Sequence, residues 1–598
     1  YDNLYQIFSI FSADGEQFEP QKANCGPVAG AILENFPQEV ESATSIAYFL
    51  GAPLYNGSVR FDAKTLLADS LFFRTMGIEV LSGNPEKELM QPDVIFLADR
   101  LARKIFGDEN PIGKVLNYNK EMQFTVKGTY ADLPANATMR PEGVVSMPTS
   151  WNRGWGNYSW RGGDSYYEYI RFRPGADKEV VNARLDAMIQ KYRPEEDKKA
   201  YGYTAFVKPI RDVYRNEDQV KRMDTIMSIL ALAILFIAAL NYVLISISSL
   251  TYRAKAVGVH KCSGASGGTV FSMFLLETGI IIVLALMLMA LILLNFQEFI
   301  EDTTAAKLSV LFAPDRIWVP LAVVLVLFIV GGVLPGRLFA RIPVSQVFRR
   351  YTEGKKGWKR PLLFVQFAGV AFICGLMYVV MAQYNYVKDK DMGYNPRRVA
   401  VGSAYFGKAE ESEPALHFFR GLSYVEEVSC AVSTPIWSYS GSMIQSESGQ
   451  ALFSTRTSRA PEDYFKMMGM TIKEGRPARA TDELVVNEAF VERMRWGDKA
   501  LNHPLRMEGE NYKVVGILKD FHIGSFFEPQ DVIIFGYTRT FGNAVHVRLK
   551  EPFAENLRRL NKDVAEAYPD KTIDFGGMEQ EILNEYLSLI HISEPTRP

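Results

Sequence analysis

The stretch SSLTYRAKAVGVHKCSGASGGTVFSMFLLETG (Ser248–Gly279) sits between two runs of almost purely apolar side chains, and its basic residues and glycines are out of keeping with both. The run before it, IMSILALAILFIAALNYVLISI (Ile226–Ile247), and the run after it, TGIIIVLALMLMALILLNF (Thr278–Phe296), hold no charged residue. Two more such runs follow, IWVPLAVVLVLFIVGGVLPG (Ile317–Gly336) and PLLFVQFAGVAFICGLMYVVMAQYNYV (Pro361–Val387). At a rise of about 1.5 Å per residue each covers roughly the 30 Å hydrocarbon core of a bilayer. All four are therefore expected to span a membrane, and the quoted stretch becomes the loop between the first two.

Loop charge sets the orientation. Arg253, Lys255 and Lys261 open the first loop with no acid before Glu277, and eight Lys or Arg residues between Arg337 and Arg360 stand against one acid, Glu353. The loop between the second and third runs carries Glu298, Glu301, Asp302 and Asp315 against Lys307 and Arg316. Cytoplasmic loops retain Lys and Arg, so both basic loops are expected inside and both large flanks outside.

The 598 residues include 66 Lys and Arg against 68 Asp and Glu, a balance that argues against nucleic acid as a partner. The mean hydropathy of −0.04 averages ordinary flanks with the apolar segment between them. Cys25, Cys262, Cys374 and Cys430 are too few and scattered for a disulfide framework or a metal site, and are expected as small buried side chains.

The flanks repeat each other. FFRTMGIEVLSG (Phe72–Gly83) matches YFKMMGMTIKEG (Tyr464–Gly475), and DVIFLADRLARKIFGD (Asp93–Asp108) matches ELVVNEAFVERMRWGD (Glu483–Asp498). FTVKGTYAD (Phe124–Asp132) then matches YKVVGILKD (Tyr512–Asp520), each preceded by a short apolar strand and a polar turn, as in a β-hairpin. Three pairs in one order, at a period far beyond any solenoid repeat, imply duplication of a whole domain with its membrane helices. A span is then expected before Tyr1 and three after Tyr586, eight in all. The chain starts at Tyr1 without a signal segment, so further sequence is expected upstream. LSLIHISEPTRP (Leu587–Pro598) reads as the translation of a transposase adapter used in sequencing libraries, so the native frame is expected to stop near Tyr586.

Within the opening stretch Leu250, Ala254 and Val257 recur at helical spacing, with Arg253 and His260 beside that stripe. Gly258, Gly264, Gly267 and Gly268 are expected to interrupt it, leaving a short helix on the inner membrane surface that ends at Gly264. Such a helix would offer a knob to a cytoplasmic partner, although anchoring the topology would by itself account for Lys and Arg here.

The segment resembles the signature of FtsX-like and MacB-type ABC transporter permeases, R-x-K-E-x-G-[IV]-x-[KR]-x-x-G-A followed by an apolar helix with an early Glu. Arg253, Lys255, Gly258, Val259, Lys261, Gly264, Ala265 and Glu277 fit that pattern, whereas Ala256 replaces its Glu and His260 stands where Arg is common. YDNLYQIF at the start, GDENPIGKVL (Gly107–Leu116), FVQFAGVAF (Phe364–Phe372) and KDKDMGYNPRRV (Lys388–Val399) resemble the duplicated permeases common in Bacteroidetes-type bacteria. The resemblance implies an α-helical transmembrane bundle carrying two duplicated α+β extracytoplasmic domains. It places periplasmic core domains at 1–222 and 388–586, and three spans at 223–360 with a coupling loop at 248–270 and a basic linker at 337–360. A further span at 361–387 opens the second repeat. It also implies a cytoplasmic ABC ATPase dimer as partner, carrying the ATP and Mg. Arg253, Lys255, Val257, Gly258, His260, Lys261, Gly264, Ala265 and Glu277 become the expected ATPase-coupling residues.

No G-x-x-x-x-G-K-[ST] loop occurs, since GASGGT (Gly264–Thr269) has no lysine to hold a phosphate; ATP is expected to bind another subunit. The spans offer polar neutrals such as Asn241 and Gln366 rather than an ion path, which favours mechanical transmission. Gly331, Gly332 and Gly336 are read as ordinary glycine use in membrane helices. No H-E-x-x-H or G-x-S-x-G pattern occurs, and neither catalytic nor metal-binding residues are assigned. His417, His503, His522 and His546 are expected at the surface or as hydrogen-bonded core residues, and WNRGWGNYSWRGGDSYYEY (Trp151–Tyr169) as a packed aromatic loop. The function expected is that of a non-ATPase permease subunit in a bacterial inner membrane, conveying ATP-driven motion outward. Its output would be efflux, lipoprotein release or control of a cell-wall hydrolase, with a periplasmic adaptor or hydrolase as further partner. The alternative is a membrane-anchored extracytoplasmic sensor that signals without ATP; an enzyme with outer catalytic domains is a third.

Overall fold

A computed structural model of the chain describes residues 3–590 apart from 14–15, 49–50, 135–136, 156–157, 162–165, 249, 305–307, 315, 342–358, 404–408, 437–438, 524–531 and 539–543. The chain divides into two compact units, Arg215–Lys388 and a second that joins Tyr1–Tyr214 with Asp389–His591.

In the larger unit each flank builds the same two-part domain. In the first flank, β1 (Leu4–Ala13), α1 (Val28–Asn35), β2 (Val40–Tyr48), β11 (Tyr166–Phe172), α4 (Lys178–Tyr192) and β12 (Gly202–Pro209) form an antiparallel sheet in the order β12-β1-β11-β2. Strand β11 slots between β1 and β2, which makes this a split βαβ arrangement. Val28, Ile32, Leu185 and Ile189 of the helices close over Tyr5, Ile7, Ile170 and Phe172 of the sheet. Between β2 and β11 the chain inserts a barrel-like layer from β3 (Leu54–Asn56), β4 (Val59–Phe61), β5 (Thr65–Ala68), α2 (Phe72–Met76), β6 (Val80–Ser82), β7 (Val94–Ala98), α3 (Asp99–Phe106), β8 (Val115–Tyr118), β9 (Met122–Tyr130) and β10 (Gly143–Ser146). Its strands run β5-β10-β7-β9-β8-β3-β4, with β6 beside β9. β5 also pairs with β2 through Ile46↔Ala68, Ala47↔Leu67 and Tyr48↔Leu66, so the two layers are one continuous sheet.

The second flank repeats the plan. β13 (Val399–Ser403), α11 (Ala409–Gly421), β14 (Val425–Ala431), β22 (Ala544–Leu549), α14 (Phe553–Ala567) and β23 (Phe575–Gly577) give the sheet β23-β13-β22-β14. The inserted layer is β15 (Ser440–Gln445), β16 (Ala451–Ala460), α12 (Glu462–Met467), β17 (Ile472–Gly475), β18 (Glu483–Asn487), α13 (Glu488–Met494), β19 (Pro504–Met507), β20 (Glu510–Leu518) and β21 (Ile533–Tyr537). Here β15 pairs with both β16 and β19, and β19 with β20, so the ring closes as a six-stranded barrel. The two layers form separate sheets, linked at this junction by Val432 N donating to Arg459 O at 2.9 Å.

All three repeated sequence pairs fall in the barrels, and the hairpins form where the sequence places them. Asn119 and Lys120 in one, Glu508 and Gly509 in the other, take the positive φ that tight hairpin turns demand. The repeated glycines have a steric reason. A Cβ at Gly83 (φ +85) would overlap the Lys127 carbonyl oxygen and lie 2.9 Å from Gly128 Cα. At Gly475 (φ +77) it would overlap the Val515 carbonyl oxygen and lie 3.0 Å from Gly516 Cα. The two flanks also touch: Tyr55 Oη bonds Thr572 Oγ1 at 2.9 Å, Arg60 pairs with Asp574 at 2.6 Å, and Lys120 Nζ donates to Pro569 O at 2.6 Å.

In the smaller unit four helices are long and apolar enough to cross a membrane: Val220–Ile245, Gly267–Asn295, Trp318–Arg337 and Leu363–Gln383. They belong to α5 (Asp218–Ser248), α7 (Gly267–Asn295), the pair α8 (Trp318–Phe328) and α9 (Leu334–Ala340), and α10 (Lys359–Asp389). Helices outrun the apolar runs because intrahelical bonding continues past the bilayer edge. The third span is not uniformly α-helical, since a π-turn at Ile329–Val333 separates α8 from α9. Its glycines are more than ordinary membrane-helix usage. A Cβ at Gly331 would come within 2.7 Å of the Tyr242 ring, at Gly332 within 3.2 Å of Thr278 Cγ2, and at Gly336 within 3.1 Å of the Phe271 ring. Gln366 donates to Asn241 Oδ1 at 2.6 Å, which pairs two polar groups that lipid cannot satisfy.

Candidate functional site

The loop between the first two spans folds as α6 (Leu250–Cys262), a turn at Gly264 (φ +94), and an N-cap at Ser266, whose Oγ accepts from Thr269 N at 3.1 Å to start α7. The turn bonds Gly264 N to Lys261 O and Ala265 N to His260 O. Helix α6 packs against α5, α7 and α9. Gly258 does not interrupt it: it lies inside α6 and is buried, despite the roughly 1 kcal/mol propensity cost of a helical glycine. Gly267 and Gly268 likewise begin α7 rather than break a helix.

The predicted coupling residues divide by face. Val257 is 1% exposed and Gly258 is buried, whereas Lys255, Val259 and His260 are exposed. Lys261 is half-buried and donates from Nζ to Ala340 O, at the end of α9, at 2.8 Å. Gly264 is exposed and Ala265 half-buried. Arg253 lies on α6, with its side chain outside the described residues, as are those of Leu250 and Ala254. Glu277 is half-buried ten residues into α7. That helix is about 44 Å long at 1.5 Å per residue, so about 14 Å of it exceeds the hydrocarbon core. If Asn295 marks the far edge, Glu277 falls at the near one. The structure thus joins Val257, Gly258 and Lys261 to the bundle and leaves Lys255 and His260 outward. Most of the basic linker at 337–360 lies outside the described residues.

The family-model comparison decides the affiliation: a model of the MacB-like periplasmic core domain matches residues 2–188 and again 367–561, and a model of the FtsX-like permease C-terminal region matches 228–344. The chain belongs to the MacB/FtsX family of ABC transporter permeases. Its periplasmic core domain is duplicated around a multi-pass membrane segment, and permeases of this family work with a cytoplasmic ABC ATPase. Among solved structures, a permease-protein domain from Porphyromonas gingivalis aligns at 25% identity over 35% of this permease and 90% of that chain, with a TM-score of 0.31. The periplasmic region of MacB from Actinobacillus actinomycetemcomitans aligns at 16% identity over 34% of this permease and 88% of that chain (TM-score 0.25). The extracellular domain of the noncanonic ABC-type transporter YknZ from Gram-positive bacteria aligns at 11% identity over 30% and 99% (TM-score 0.23). No curated protein matches the permease.

Three expectations about other residues need correction. His546 is neither at the surface nor hydrogen-bonded: it is fully buried on β22 with its ring 5.2 Å from that of Tyr464, and neither nitrogen has a partner among the described residues. Burial alone lowers its pKa to about 3. Cys25 and Cys430 are buried, but Cys262, in the last turn of α6, and Cys374, on a span's outer face, are exposed. The aromatic loop is only partly packed: Trp160 stacks on Tyr192 at 5.2 Å and Tyr166 is buried, yet Trp151, Trp155 and Tyr158 each stay about 40% exposed. Residues 156–157 and 162–165 of that loop lie outside the described set.

Sequence reasoning also missed Glu168. It is fully buried on β11, and its Oε1 accepts from Ala29 N at 3.0 Å and Ser45 Oγ at 2.9 Å. Its Oε2 has no partner among the described residues. Burial pushes this carboxyl well above the usual range. Alternation along YYEYIRF marks it as inward-facing, but no local signal tells a buried acid from an exposed one.

Proposed function

We propose that this permease is the non-ATPase subunit of an ABC system in a bacterial inner membrane, with α6 as the element on which a separate ATPase dimer pushes. ATP and Mg would be bound by that partner. The observation that carries this reading is the two-faced build of α6. One face is fixed, through Val257, Gly258 and the Lys261–Ala340 bond, while Lys255 and His260 are free to meet a cytoplasmic surface. A load on the outer face would therefore pass to α9 and α7 rather than bend a loose loop. The outer domains, at 1–222 and 388–586, would convert it into motion used for efflux, lipoprotein release or control of a cell-wall hydrolase, through an adaptor or the hydrolase itself.

Affinity purification from native membranes tests this. The wild type is expected to bring down a Walker-type ATPase, and Lys255→Glu with His260→Glu to lose it while membrane level is unchanged. Recovery of a signalling kinase instead, unaffected by those changes, would establish the sensor reading and overturn this one.

A further inference from the structure

We infer that Arg548 fastens residues 391–398, the segment that follows the fourth span, to the second outer domain, and that Arg171 occupies the same node in the first. The fastening follows from where a buried cation finds its partners. Arg548 on β22 is 6% exposed, and its guanidinium donates to Met467 O at 2.5 Å, Arg397 O at 2.6 Å and Asn395 O at 3.3 Å. Met467 ends α12, where a carbonyl lacks an intrahelical donor. A guanidinium cannot shed its charge, so taking it out of water is tolerated only while those carbonyls stay in place. Glu427 pairs with it at the longer distance of 3.7 Å, and its side chain is 42% exposed.

Other contacts hold the same segment. Asn395 N donates to Met468 O at 2.7 Å, and His522 N to Met392 O at 2.9 Å. Gly393 (φ +80) lies against Phe521 so closely that a Cβ would sit 2.7 Å from its Cβ. Arg398, at φ +57, pairs with Glu426 at 2.8 Å.

The node occurs twice. Arg171 faces Leu4 on one side and Ser42 on the other, as Arg548 faces Val399 and Glu427, and in both halves a β-bulge follows at the next residue. Arg171 Nε donates to Thr75 O at 2.8 Å, and Thr75 is the residue that aligns with Met467 in the FFRTMG and YFKMMG repeats. Arg173 and Lys550, two residues on, bind the carbonyls of Pro37 and Ser423 in the corresponding helix-to-strand turns. Two copies that have diverged through most of their length keep this arginine and its carbonyl.

The mechanical meaning rests on the proposed function. The chain arrives from α10, which ends at Asp389. A free eight-residue tether has a root-mean-square span of about 16 Å and would absorb displacement as slack. Fastened along its length, it passes displacement to α12 and β22.

Hydrogen exchange on the full chain in nanodiscs decides the fastening. Arg548→Gln is expected to speed exchange at the Asn395 and His522 amides by roughly 10–100-fold, the loss of hydrogen bonds to a charged group. The Val485 and Ile534 amides in the barrel should be unchanged, and Arg548→Lys intermediate. Unchanged exchange at Asn395 overturns the inference. Should Arg548→Gln unfold the barrel, Arg548→Lys keeps the buried charge but cannot reach the three carbonyls of Met467, Arg397 and Asn395 together. A spin label at Asp391 should then be more mobile than in wild type, and a label as immobile as in wild type overturns the inference. A separate arm follows ATP-driven distance changes between labels on the outer domains, with the co-purified ATPase. Their loss in Arg548→Gln, with ATP still hydrolysed, supports the coupling role. Absence of any such change in wild type counts against the proposed function, while the exchange result still decides the fastening.

Discussion

The repeated glycines give a quantitative test of the duplicated barrel. Gly475→Ala introduces a Cβ at φ +77, a left-handed conformation that costs an L-residue about 1–2 kcal/mol. The same atom overlaps the Val515 carbonyl oxygen and sits 3.0 Å from Gly516 Cα, against a comfortable 3.5–4.0 Å, so β20 must retreat by about 0.5–1 Å. That carbonyl accepts Arg476 N at 3.0 Å, and weakening this bond while straining the β17–β20 contact adds about 2 kcal/mol. The total is about 3–4 kcal/mol. Gly509→Ala is the control, because it has the same sign of φ (+87) with nothing within 4 Å of the new Cβ, leaving about 1–2 kcal/mol. At roughly 2–4 °C per kcal/mol for a domain of this size, scanning fluorimetry in nanodiscs should show Tm falling by about 10 °C for Gly475→Ala and about 4 °C for Gly509→Ala. Gly83→Ala and Gly57→Ala are the equivalent pair in the first domain, with Gly57 (φ +60) equally free of neighbours. Variants within about 2 °C of their controls would refute the close approach of the two strands in both barrels.

Four further outcomes follow from buried polar groups and from the contact between the flanks. His546 has a folded pKa of about 3 against about 6.5 unfolded, so the unfolded chain binds the extra proton between those values. The stability it permits is complete above pH 6.5 and is lost as pH falls, by roughly 1.4 kcal/mol per unit, so the second domain's Tm should fall from pH 6.5 to 5 in wild type and stay flatter in His546→Phe. Glu168 has the opposite sign: its carboxyl is raised, so the first domain weakens as pH rises above about 4.5, and Glu168→Gln should flatten that slope in a melting series from pH 4.5 to 7, leaving the part due to Asp69, which burial raises to about 6. Gln366→Leu leaves Asn241 unpaired in the bundle, and a double-mutant cycle with Asn241→Leu under detergent-induced unfolding should give a coupling of about 0.6–2 kcal/mol. Arg60→Glu should lower the yield of crosslinking by a short bis-maleimide between cysteines placed at Tyr55 and Thr572, and Asp574→Arg in the same chain should restore it.

The spans and barrels were legible in the sequence for different reasons. A run such as Thr278–Phe296 announces itself because lipid tolerates no alternative composition. The barrel repeats survive because Gly83 with Gly128, and Gly475 with Gly516, lie where one backbone touches another, a constraint that divergence cannot relax. The split βαβ sheets were not legible: their strands come from segments more than a hundred residues apart, and any apolar residue of suitable volume serves there. Arg171 and Arg548 escaped for a related reason, since their shared role shows only once β1 and β13 are set in register. At the candidate site, the helix before Gly264 was readable from spacing. The burial of Gly258 and the Lys261–Ala340 bond were not, because both depend on which helix lies alongside.

The junction between sheet and barrel differs between the halves. In the first, Ile46↔Ala68 and its neighbours weld the two layers into one plate, so a torque on either turns both. In the second no such strand pairing joins the layers among the described residues; they meet at points, through Val432 N to Arg459 O, Ser429 Oγ to Asp463 Oδ1 and Arg548 to Met467 O. Duplication has thus yielded one half whose layers share a ladder and one whose layers are pinned at separate points, and Arg548 is one of the pins.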